Sequence, residues 1–178
     1  TYETLSSTLV FNSGSYLTTN WGAETQSIEF RVKPTANTNI DLVSGDNFDL
    51  YISSSDSVYG KLKLDVNGSN VITSDNITLF DTNFYSVLVT NDGGNYSLYV
   101  GNADKDRIVS NYTYNGVGAD WGVGSEIHIG NFVGELDEFR LWSEPLSSSV
   151  FFDHVSFPEM INGNSISSSM NDLYFRLD

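Results

Sequence analysis

The chain has no cysteine, and only 8 of its 178 residues are Lys or Arg. The first absence excludes disulfide scaffolds, thiolate metal sites and cysteine nucleophiles. It does not fix the compartment, because a cytosolic, virion or bacterial-surface protein can equally lack disulfides. The second leaves a formal net charge of -15 against 23 Asp and Glu. A nucleic-acid partner is therefore not expected, since phosphate neutralisation needs clustered Lys and Arg. No apolar run approaches the ~18 residues of a membrane span, so no membrane insertion is expected. Histidine is scarce too, with only His128 and His154, and no Gly-x-Ser-x-Gly elbow is present. A Ser-His-Asp enzyme is not expected on those terms. Methionine occurs only at Met160 and Met170, the chain opens at Thr1, and no charged, apolar leader precedes the first strand. That start reads as a piece of a longer polypeptide.

What is present is aromatic, small and polar. The clearest pattern is Ser27-Ile-Glu-Phe-Arg-Val-Lys33, with Ile28, Phe30 and Val32 on one face and Glu29, Arg31 and Lys33 on the other. Strict period two predicts a half-buried strand closed by Pro34. Further strands are expected over residues 48–52, 60–66, 84–90, 96–101, 126–130 and 134–142. Asn91-Asp-Gly-Gly94 supplies the turn of a hairpin between two of them. One helix is expected over 146–155, capped by serines, with Leu146, Val150 and His154 at helical spacing. His128 should be exposed, because Ile127 and Ile129 share the opposite face. Short strands at this spacing predict an all-β, two-sheet antiparallel sandwich. We read residues 1–145 as the sandwich and 146–178 as a helix plus C-terminal connector ending in a strand from Leu173. Four Asn-x-Ser/Thr sequons, at Asn67, Asn76, Asn95 and Asn111, are about as many as chance supplies and carry no evidence of glycosylation.

The segment Ile129-Gly-Asn-Phe-Val-Gly-Glu-Leu-Asp-Glu-Phe-Arg-Leu-Trp-Ser-Glu-Pro-Leu-Ser147 resembles the closing strand of laminin-G-like domains in the concanavalin A-like lectin/glucanase superfamily. Leu9 to Tyr16 is similar to the opening strand of that family, and Ser27 to Pro34 to its second strand. The resemblance covers about residues 7–155 and implies a jelly-roll sandwich. It implies no single function, because the fold carries enzymes, lectins and spacers alike. The stretch beyond Trp142 resembles segments of large phage virion proteins, in which such domains are strung along a tail polypeptide.

Within that resemblance, Glu135-Leu-Asp137 matches the start of the Glu-x-Asp-x-(x)-Glu motif of retaining β-glucanases. The acid/base carboxylate would stand at 139 or 140, which are Phe139 and Arg140, so no glycosidase activity is expected. Glu138 lies at odd spacing from Glu135 and is expected on the opposite face. It would form with Arg140 a surface pair worth at most about 1 kcal/mol. The family resemblance also implies that Asp137 could hold a structural Ca²⁺ with carbonyls of the turn Asn12-Ser-Gly14-Ser15, or else cap turn amides. The acidic groups Asp41, Asp46 and Asp49, and the loop Asn102–Asp106, read as solvated turns. Trp21 and Trp121 stand in Gly-rich polar loops, where they either stack on sugar rings or anchor the loops.

The expectation is a non-enzymatic adhesion or packing domain of a phage virion protein. Its partners would be other virion subunits, copies of itself or cell-surface glycans. The alternative is a carbohydrate-binding module of a secreted or cell-surface bacterial protein.

Overall fold

The computed structural model describes residues 8–35, 38–102, 107–116, 118, 120–165, 167 and 172–177. Among the described residues, thirteen strands and one helix occur in chain order: β1 (Leu9–Phe11), β2 (Tyr16–Asn20), β3 (Ser27–Pro34), β4 (Ile40–Gly45), β5 (Phe48–Ser54), β6 (Gly60–Val66), β7 (Ser69–Thr73), β8 (Tyr85–Asp92), β9 (Asn95–Asn102), β10 (Arg107–Asn115), β11 (Glu126–Gly130), β12 (Gly134–Trp142), α1 (Ser148–Ser156) and β13 (Leu173–Leu177). They form two antiparallel sheets. One has the order β1-β12-β3-β8-β9-β10, with β13 also on β12; the other runs β2-β11-β4-β5-β6-β7. The expected sandwich is present. Among the described residues no helix is long and apolar enough to cross a membrane.

The core lies between the sheets and follows the alternation. In β6, Leu62, Leu64 and Val66 are buried while Lys61, Lys63 and Asp65 are half-buried on the other face. The hairpin between β8 and β9 turns on Gly93 and Gly94, both with positive φ, as a tight turn of the right twist requires. Glycine is also needed at Gly130, where φ is 115° and a Cβ would come within 2.5 Å of the Phe11 ring. Phe11 in turn stacks on Phe132, with centroids 5.2 Å apart.

Two expectations change. The single opening strand is really two, because the Asn12–Ser15 turn carries the chain from β1 in one sheet to β2 in the other. The segment beyond residue 145 comes back onto the sandwich. Ser147 caps α1, its Oγ accepting from the Val150 N–H at 3.3 Å. Val150, Phe151 and Val155 then bury Leu88 and Trp142 on the outer face of the first sheet, and β13 pairs with the second half of β12. The expected acidic loop at Asn102–Asp106 lies largely outside the described residues.

Candidate functional site

The outer face of β3 and β12 collects four of the eight basic residues of this acidic chain: Arg31, Lys33, Arg140 and Arg176 of neighbouring β13. A β-bulge arranges them. Asp137 stands opposite Arg31 but Arg140 stands opposite Glu29, so β12 carries one extra residue. Glu138 takes it up with φ 52°. Leu136, Phe139 and Leu141 therefore all join the core, while Glu135, Asp137 and Arg140 share the outer face.

The bulge overturns the reading of Glu138 and Arg140 as a surface pair. Arg140 is 1% exposed and Glu138 6%. Arg140 donates to Glu138 through Nε and Nη2 at 3.1 and 2.7 Å, and reaches Glu29 through Nη1 at 3.4 Å. Its Nη2 also donates to the Pro158 carbonyl. Arg176 donates to both Glu138 oxygens, at 2.9 and 2.6 Å. Glu29 meets His154 Nδ1 at 2.7 Å, and the ring stacks on Trp142. Helix α1 and the loop after it roof this network. Burial pushes the Glu138 carboxyl up, but the hydrogen bonds and charges of Arg176 and Arg140 outweigh it and hold the pKa below its ordinary 4.5. A carboxylate with a lowered folded-state pKa stabilises above its unfolded pKa, and that contribution is lost as pH falls through the folded value. The gap in thermal midpoint between wild type and Glu138→Gln should thus close as pH drops below about 4.5. A gap that stays constant from pH 7 to 3 would contradict this role.

Beside the network lies a groove of about 170 Å³, lined by Arg31, Lys33, Thr82, Asn83, Phe84, Ser86 and Val155. Ser86 stands opposite Arg31 in the β3–β8 register. The Arg31 guanidinium and the Lys33 ammonium both lie over the Phe84 ring, 4.8 and 5.1 Å from its centroid. Arg31 Nη1 donates to Asp137 at 2.6 Å, and Lys33 pairs with Glu135.

Trp21 and Trp121, expected either as sugar platforms or as loop anchors, are each 1% exposed. Their rings pack on one another at 5.1 Å and on Phe48. Trp21 Nε1 donates to the Gly122 carbonyl at 2.7 Å, and Trp121 Nε1 to the Thr25 carbonyl at 3.2 Å. They staple two loops together and present no free ring face, so the sugar-platform option does not fit them. His128 is exposed as expected, stacked on Tyr16.

The register also separates the expected calcium set. Phe11 is opposite Gly134, and the chain leaves β1 there toward Asn12 and Gly14. Asp137 lies three residues the other way along β12, about 10 Å, with one oxygen engaged by Arg31. Chelation should leave the thermal midpoint unchanged; a calcium-dependent rise that Asp137→Ala abolishes would contradict that.

A family model described as the concanavalin A-like lectin/glucanases superfamily matches residues 8–149. No curated protein matches the chain. Among solved structures, it is similar to the heptameric SAP-like pentraxin of Limulus polyphemus, at 18% identity and TM-score 0.62, over 96% of this chain and 91% of that one. It also resembles the enzymatically active domain of tailspike protein 2 of bacteriophage CBA120, at 13% identity and TM-score 0.62. That match takes in 95% of this chain but spans only 28% of the tailspike. A third likeness is the CBM40 domain of the Ruminococcus gnavus IT-sialidase bound to α2,3-sialyllactose, at 14% identity and TM-score 0.57, over 83% of this chain and 96% of that one.

Proposed function

The chain belongs to the concanavalin A-like lectin/glucanase superfamily, and from that premise we propose that it is a non-enzymatic recognition domain that attaches a phage virion protein to cell-surface glycans. One observation carries the reading. Every carboxylate of the strand that bears the glucanase-like residues is held by a cation: Glu135 by Lys33, Asp137 by Arg31, and Glu138 by Arg140 and Arg176. Glycoside hydrolysis needs one carboxyl that carries a proton and a second free to attack or to activate water. This strand provides neither, yet the adjoining groove offers an aromatic ring, an amide, hydroxyls and a guanidinium. Amide, hydroxyl and guanidinium groups of this kind hold a sugar by its hydroxyls.

The structural likeness to a tailspike and to a sialoside-bound module supports attachment as the task and a virion tail as the setting. Glycan-array binding by the isolated domain tests it: retention of a defined glycan family supports attachment, and a blank array refutes it. Packing between virion subunits is the second reading, favoured by the exposed apolar residues Val10 and Phe157, 70% and 64% accessible. A concentration-dependent oligomer in sedimentation, coupled with a blank array, would select it.

A further inference from the structure

We infer that the groove lined by Arg31, Asn83 and Ser86 takes a carboxylated saccharide unit, and that its carboxylate docks on the unoccupied edge of Arg31. The inference rests on the glycan-binding reading and deepens it.

Three observations converge. First, Arg31 uses only Nη1, on Asp137; among the described residues its Nε and Nη2 make no hydrogen bond. Those two donors form the planar fork that receives a carboxylate through two parallel bonds. The side chain is 26% exposed and lines the groove, so the fork is within reach of a ligand.

Second, Ser86 is 7% exposed. It lines the groove directly across the strand pair from Arg31. A sugar hydroxyl or carboxylate oxygen bound in the groove beside Arg31 would lie within reach of the Ser86 hydroxyl. Thr82, at the rim, holds φ at 69°, a conformation that a β-branched residue adopts only under strain. Asp81 fixes the loop, its Oδ1 accepting from the Asn83 N–H at 3.2 Å and its Oδ2 lying 2.9 Å from the Tyr85 hydroxyl.

Third, the local charge suits an anion. On this face Arg31, Lys33, Arg140 and Arg176 balance Glu29, Glu135, Asp137 and Glu138, four against four. The chain as a whole carries -15, so an anionic ligand is repelled by most of the surface and not by this face. The Phe84 ring lies beneath both cations and lines the groove.

The test is titration of the ¹⁵N-labelled chain with methyl glucuronide and N-acetylneuraminic acid. Methyl glucoside and the methyl ester of the glucuronide serve as uncharged counterparts. Amide shifts should move at Arg31, Lys33, Asn83, Phe84 and Ser86 with the acids, and the ester should bind about tenfold more weakly, the loss of one charge-assisted pair. Arg31→Gln, checked for an unchanged spectrum elsewhere, should remove most of the preference for acid over ester, and Ser86→Ala should weaken the acids and the uncharged sugars alike. Equal binding of acid and ester in the groove would overturn the carboxylate and leave the glycan reading standing. Shifts confined to another surface, or undiminished in both variants, would overturn the groove. No response to any of these sugars, together with a blank glycan array, would remove the glycan reading itself.

Discussion

Replacing Arg140 by Met should destabilise the fold by about 3–5 kcal/mol, the penalty for leaving buried carboxylates without their cation. Arg140 is the hub of the roofed network. It touches Glu29, Glu138 and the Pro158 carbonyl, and it is 1% exposed. Met fills much of the same volume, so the loss is electrostatic rather than a cavity effect. For a chain of this size the thermal midpoint should fall by about 10 °C. Adding Glu29→Gln to the variant should restore part of the loss, because one uncompensated charge disappears with it. Urea denaturation of the three proteins checks both statements. A loss below about 1 kcal/mol would mean that the pair behaves as a solvent-screened surface contact.

Trp121→Ala should cost about 3–5 kcal/mol, the range for emptying an aromatic site in a packed core. The indole touches Trp21, Phe48 and Tyr96 and donates to the Thr25 carbonyl. Its removal therefore opens a void and also frees the stapled loops. Trp121→Phe keeps most of the packing and loses the N–H bond, so it should cost less. The same variant separates structure from recognition. A folded Trp121→Phe chain should keep its glycan affinity, since the ring does not line the groove. Loss of binding with an intact fold would restore the indole as a sugar platform.

The period-two segments were legible because each needs only one apolar face against the opposite sheet. Residues 60–66, 126–130 and 134–142 are strands over those bounds. β4 was missed because its own bulge, between Asp41 and Val43, breaks the alternation. β2 was missed because Tyr-Leu-Thr-Thr-Asn is mostly exposed and carries no apolar period. The same kind of irregularity hid the network. One extra residue at Glu138 moves Arg140 onto the face of Asp137, a slip that strict alternation cannot register. The tryptophans misled because their neighbours, Asn20 and Gly22, Asp120 and Gly122, are those of exposed loops. The burial comes from two such loops meeting about a hundred residues apart in sequence. Arg31 and Lys33 were readable as outward-facing. Their partners Phe84 and Ser86 were not, because only the β3–β8 register brings them alongside.

The opening charge of -15 thus divides unevenly over the molecule. One face of the sandwich is locally balanced, and that face bears both the roofed network and the groove. The most direct test of attachment without catalysis is to incubate the isolated domain with a glycan retained on the array and then recover the sugar. Saturable binding with the saccharide returned at its original length and linkage is the expected result. Shortened or newly reducing products would contradict the non-enzymatic reading, and an absence of binding would contradict attachment.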